Sequence, residues 1–205
     1  VGGSPDIQRY VETPENFTID NVSPAGKVTL TGNDFRTENW TSVCSAEQAT
    51  SPENGVNLIS VPFSFNLWSR ESVTPVLSDV LDDNEGHVVH YAVVDVKKGD
   101  QTFTHDAAKD CEWVQIESAN DIPGIAPDSQ KCMIFRITDK AGNITYLCTD
   151  VIIVEDNAPE GNLTVTTAPS VNGTSIFNSD VQLGYKVSDL LNGSEIAASG
   201  IQKIR

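Results

Sequence analysis

Basic residues are scarce in this sequence, long apolar runs are missing, and so are the compact signatures of the common enzymes. Lys and Arg number 13 against 29 Asp and Glu in 205 residues, a formal net charge of −16. A surface of that sign repels phosphate backbones and anionic headgroups, which argues against nucleic-acid and membrane-surface partners. No stretch approaches the ~20 apolar residues a membrane helix needs. HExxH, GxSxG, P-loop and GxGxxG patterns are all missing. The histidines do not fill that gap. His87 and His90 are three apart on a predicted strand and so face opposite ways, while His105 stands alone in a loop. The expectation is a protein that is not an enzyme, with Ca²⁺ the sole cofactor to consider.

The first residues, Val1-Gly2-Gly3-Ser4-Pro5, lack an initiator Met, a basic segment and an apolar segment. The last, Gly200 to Arg205, stop inside an apolar alternation. Both features predict a segment excised from a longer chain, with a signal peptide either removed or not included.

Four cysteines are present, Cys44, Cys111, Cys132 and Cys148, and none forms a CxxC pair. Zinc ligation and thioredoxin-like exchange therefore lack their usual spacing. Widely separated cysteines in even number suit two disulfides in an oxidising compartment, with free buried thiols as the alternative. Of the three pairings, Cys111–Cys132 and Cys44–Cys148 are favoured. Sequons point the same way. They occur at Asn16, Asn21, Asn39, Asn143, Asn162, Asn172 and Asn192, seven where chance predicts about 2.6. Glycosylation of a secreted surface is one reading; a β protein rich in Thr and Asn is the other.

The most informative feature is an internal repeat. FTIDNVSPAGKVTLT at 17–31 and IVEDNAPEGNLTVT at 153–166 share a pattern with one gap. Asp20, Asn21, Pro24 and Gly26 align with Asp156, Asn157, Pro159 and Gly161. Two fainter matches come after it in the same order: 61–67 with 181–187, and 86–91 with 200–205. A strand ends at each junction, Pro blocks further pairing, and Gly permits a tight return into the next strand. The predicted organisation is 1–21 as the tail of one unit, 22–157 as a complete unit, and 158–205 as the first part of another.

Within 22–157 the apolar period is two. Strands are predicted at Val28–Thr31, at 58–68 with Val61, Phe63, Phe65 and Leu67 on one face, and at 87–96. A hairpin is predicted from Lys131–Thr138 and Ile144–Val154 around Asp139-Lys-Ala-Gly-Asn143. Ser72–Leu81 has the spacing of a short helix, with Val73, Val76, Leu77 and Val80 on one side. Stretches 33–57 and 99–130 read as long loops pinned by Cys44 and Cys111. The fold class expected is all-β, a β-sandwich.

The phrase Ile137-Thr-Asp-Lys-Ala-Gly-Asn143 resembles the D-x-A-G-N hairpin near the end of immunoglobulin-like repeats in bacterial and archaeal surface proteins. The D-x-x-P linker at Asp156–Pro159 and the SD…SGI segment at Ser188-Asp189 and Ser199-Gly200-Ile201 resemble the opening of such a repeat. Two long insertions and the cysteines depart from that pattern. The resemblance implies a tandem immunoglobulin-like array serving as stalk, adhesin or surface-layer subunit, with no catalytic residues to transfer.

For ligands, the acidic run Asp79, Asp82, Asp83, Glu85 offers oxygen donors of the kind Ca²⁺ takes, without the alternation of an EF-hand loop. Asp156 stands in a linker resembling the calcium-binding linkers of cadherins. Trp40 and Trp113, in the two insertions, are the aromatic residues available to stack on a sugar. The function expected is a non-catalytic structural or adhesive segment of an extracellular surface protein. Its partners would be neighbouring repeats, copies of itself in a lattice or filament, or a host or glycan ligand. The alternative is a carbohydrate-binding or spacer module of a secreted glycan-degrading enzyme.

Overall fold

The computed structural model describes residues 19–30, 40–50, 55–82, 86–165, 170–171, 174–175 and 180–190. The chain is mostly β, as the period of two requires. Its first strand, β1 (Ala25–Leu30), is the Gly-Lys-Val-Thr-Leu alternation read inward, with Val28 and Leu30 fully buried. It pairs antiparallel with β2 (Trp40–Cys44) on one edge and β5 (Val76–Leu81) on the other, giving a three-stranded sheet.

A larger sheet is built on β8 (Ser129–Asp139), whose near-continuous apolar run is buried on both faces. One edge of β8 pairs along its length with β6 (His87–Asp95), which in turn pairs with β7 (Val114–Ile116). The other edge takes β9 (Ile144–Cys148) and then β10 (Ile152–Val154). Outside these lie β3 (Val56–Ile59) and β4 (Leu67–Ser69), parallel to β9 and β10 respectively. The two sheets share one core, in which Val28 and Leu30 meet Met133, Phe135, Ile137, Leu147 and Ile152.

The break between β9 and β10 is held by side chains. Thr149 Oγ1 accepts from Met133 N at 2.9 Å. Buried Asp150 accepts from Ser64 N at 2.9 Å, from the Ser64 hydroxyl, and from Val151 N at 2.7 Å. An acceptor-only group buried this deeply needs such donors.

The opposite face of the large sheet carries a second core. It is roofed by residues 96–113, including the short helix α2 (His105–Lys109) and buried Phe103 and Ala108. Both predicted loops thus contain structure: 33–57 holds β2 and the helix α1 (Ala46–Ala49), and 99–130 holds α2, β7 and a 3₁₀ turn, Ala119–Asp121.

Two expectations are corrected. Ser72–Leu81 is not helical; it ends in β5. Asp79 has φ 52°, and the register against β1 shifts between Ala25 and Lys27. That bulge resets the alternation, so Leu77 and Val80, three apart, both pack on the core and mimic a helical face. Nor is 58–68 one strand. Phe65 has φ 55°, and the phase changes there: Phe63 and Phe65 pack in the outer core, whereas Leu67 enters the core between the sheets.

The remaining strands are β11 (Glu160–Val165) paired with β14 (Leu183–Ser188), and β12 (Ser170–Val171) paired with β13 (Thr174–Ser175). The alignment of 61–67 with 181–187 does not match the ladders. The partner of β11 is β14, and the strand that flanks β1 antiparallel in the comparable place is β5, not 61–67. The match involving 200–205 lies outside the described residues.

Candidate functional sites

Three turns converge at one end of the first core. In the hairpin after β8, Asp139 Oδ1 accepts from Gly142 N at 2.7 Å and Asn143 N at 2.8 Å, with Gly142 at φ 95°. This conformation favours glycine. Asn143 Nδ2 donates to Asp139 Oδ2 at 2.8 Å and reaches the carbonyls of Asp20 at 3.2 Å and Val22 at 3.1 Å. Asp20 Oδ1 accepts from Val22 N at 3.0 Å. Ser23 N then donates to Ala49 O at 3.0 Å, and Thr145 Oγ1 donates to Pro24 O at 2.5 Å. The Asp-Asn junction of the sequence is thereby tied to the D-x-A-G-N hairpin.

Asp82, at the end of β5, joins this corner. One carboxylate oxygen from each of Asp20, Asp82 and Asp139 lies within 4.8 Å of the others. Three carboxylates that close repel one another, and a hard cation with oxygen coordination suits them. Asp139 is buried and already accepts three hydrogen bonds, so a cation there would share its oxygens with the turn. Lys140, on the same hairpin, lays its stem against Gly86.

Of the predicted calcium residues, only Asp82 belongs to this group. Asp79 is exposed, with its carboxylate 3.4 Å from the Ser78 hydroxyl. Asp156 is exposed at the other junction, and Asp83 and Glu85 lie outside the described residues. Sequence reasoning missed Asp20 and Asp139 as members of this acidic group, although both stand in the two turn motifs it had singled out.

The second constellation lies on the outer face, at the margin of the roof. Cross-strand pairing sets Leu58, Tyr146, Arg136, His90 and Gln115 in one row. Trp113 packs on that row, 5.7 Å from Tyr146 and with the Arg136 guanidinium 4.6 Å from its ring centre. His105 meets Tyr146 edge-on at 6.1 Å. Burial, with the neighbouring Arg136 charge adding to it, holds His90 below its ordinary value of 6.5. The Arg136 guanidinium rests on the Trp113 indole.

Neither predicted tryptophan is a free platform. Trp40 is half-buried against the first core, and Trp113 donates its indole N–H to Ala108 O at 3.1 Å. Trp113 nonetheless stands beside cationic and aromatic neighbours that sequence could not assemble.

All four cysteines are thiols in the structure. Cys44 belongs to the core between the sheets, whereas Cys111, Cys132 and Cys148 belong to the outer one. Neither expected pairing is formed: Cys111 and Cys132 are separate thiols within the outer core, and the large sheet separates Cys44 from Cys148.

Among the sequons, Asn21 and Asn162 are exposed. Asn143 is not a glycan acceptor in this fold, being buried with its amide nitrogen committed to the junction. Asn16, Asn39, Asn172 and Asn192 lie outside the described residues.

The class these features define is an all-β protein with two facing sheets and a roofed outer face. Comparison with protein-family models, with curated proteins and with solved structures finds no match. Among the described residues, no helix is long and apolar enough to cross a membrane.

Proposed function

We propose that this chain is a structural or adhesive segment of an extracellular surface protein, made of immunoglobulin-like sandwiches in series and without catalysis of its own. The observation that carries this reading is the junction together with the strand that each copy of it opens. After the first Asp-Asn/Pro/Gly motif, Gly26, Val28 and Leu30 line one face of β1. After the second, Gly161, Leu163 and Val165 line one face of β11. Each strand has an antiparallel partner, β5 or β14. The same apolar pattern is buried in the first unit and exposed in the second, where Leu163, Leu183 and Tyr185 are each at least 60% accessible. A face built for burial, placed after a second copy of the junction, supports an array whose units begin alike. In this reading Ca²⁺ at Asp20, Asp82 and Asp139 would stiffen the start of a unit, and exposed Asn21 and Asn162 would carry glycans.

A second reading, a carbohydrate-binding or spacer module of a secreted glycan-degrading enzyme, draws on the outer-face row, where Trp113 and Tyr146 adjoin Arg136 and His90. Glycan-array binding of the chain separates the two. The structural reading expects no sugar signal, with ordered self-association by light scattering. Sugar binding that disappears in Trp113→Ala and Arg136→Ala would establish the second reading in its place.

A further inference from the structure

We propose that Cys111, Cys132 and Cys148 form one thiol–disulfide site, in which a Cys111–Cys132 bridge staples the roof to the large sheet and Cys148 is the exchange partner. Cys132 stands on β8 opposite Val94, pointing outward with Ile134. Cys148 is opposite Ile134 on β9, which makes it the diagonal same-face neighbour of Cys132. Cys111 lies just past the C-terminus of α2, its Sγ donating to Ala107 O at 3.3 Å, and packs into the same outer core. It is the one thiol contributed by the roof.

Burial and the neighbouring thiols raise both sheet cysteines. Burial and then the Cys111 thiol push Cys132 up to about 12. Burial, then Cys132 and then Cys111, raise Cys148. By position Cys132 is the middle member: it shares its face of the sheet with Cys148 and lines a cavity with Ala107, whose carbonyl accepts from the Cys111 thiol. Cys44, enclosed on the other side of the sheet, has no route to any of them.

Access is graded. Cys111 is half-exposed, while Cys132 and Cys148 are buried. Cys132 nevertheless lines a cavity of about 280 Å³ with Phe63, Val96, Phe103 and Ala107. With a low-molecular-weight disulfide as oxidant, the Cys111 thiolate attacks one sulfur, forms a mixed disulfide and releases one small thiolate. The Cys132 thiolate then attacks the Cys111 sulfur and expels the second. Two protein thiols are oxidised, the small disulfide is reduced to two thiols, and the protein's two protons pass to these leaving groups. Attack of Cys148 on Cys132 would move the bond to Cys132–Cys148 and free Cys111, with no net redox change. This site does not depend on the surface reading, because the test supplies the oxidant.

The whole chain is equilibrated with reduced and oxidised glutathione at pH 8, quenched in acid, alkylated after denaturation and mapped by mass spectrometry. One disulfide per chain is expected, Cys111–Cys132, with Cys44 recovered as a thiol. Cys148→Ser should keep the bridge, and Cys111→Ser should abolish it along with the rise in thermal midpoint that oxidation gives the unaltered chain. A disulfide containing Cys44, four free thiols at the oxidising limit, or a midpoint that rises equally on oxidation of Cys111→Ser would overturn the proposal. Circular dichroism checks that each variant is folded; Cys111, at the surface of the roof, is the change least able to disturb the core.

Discussion

Asn143 is hydrogen-bonded through its side-chain amide to the carbonyl of Asp20, 123 positions earlier in the chain. That contact joins the turn that ends β8 to the segment that leads into β1. It gives the repeated Asp-Asn motif a mechanical meaning: the start of the unit is fastened to its last hairpin. Replacing Asn143 with Ala leaves the Asp20 and Val22 carbonyls without this donor and removes one partner of buried Asp139. A loss of about 1–3 kcal/mol in denaturant unfolding is expected. An unchanged midpoint would mean that the fastening contributes nothing.

Asp150 makes a sharper prediction. Its carboxylate receives the amides of Ser64 and Val151 and the hydroxyl of Ser64 at the break between β9 and β10. Asp150→Ala strands the amide of buried Val151 as well as that of exposed Ser64 and should cost about 2 kcal/mol, whereas Ser64→Ala should cost nearer 1 kcal/mol. Equal costs in chemical denaturation would show that the hydroxyl, and not the backbone pair, carries the interaction.

The Asp20, Asp82 and Asp139 corner predicts a calcium response. Adding Ca²⁺ at ten times its Kd should stabilise the chain by about 1.4 kcal/mol, read as a raised thermal midpoint. Asp82→Asn should abolish the response and, by relieving repulsion, raise the calcium-free midpoint. A calcium response that survives Asp82→Asn would place the ion elsewhere.

His90 supplies a pH dependence. Burial and Arg136 depress its folded value below 6.5, so the folded state binds fewer protons than the unfolded chain as pH falls. The associated stability is complete above 6.5 and declines as pH is lowered through the window down to the folded value. Titration of the His90 ring by NMR should give a midpoint below 6.5, and Arg136→Gln should move it upward. A His90 midpoint at 6.5 that ignores Arg136→Gln would refute the coupling.

Much of the central sheet was legible in the sequence. Gly142 and Asn143 marked the turn between β8 and β9, and the apolar period of two marked β1 and β6 as strands. What stayed hidden were two residues in the left-handed region, Asp79 and Phe65. Asp visits that conformation more readily than Phe, but neither residue announces it in the sequence, and each shifts the phase of a strand, producing a false helix at 72–81 and a false continuous strand at 58–68. The acidic group was half legible. Asp82 was in view as a ligand, but Asp20 and Asp139 reach it through long-range pairing that no local spacing records. The outer-face row was hidden for the same reason, since Trp113, Arg136 and Tyr146 meet across two separate strands and a loop.

The surface assignment is tested most directly on intact cells that make the protein, with a membrane-impermeant amine label followed by brief trypsin treatment. The account predicts that Lys97 and Lys109, exposed on the roof, are labelled and that peptides of this chain are released while the cells stay sealed. Peptides that are neither labelled nor released until the cells are broken would contradict it.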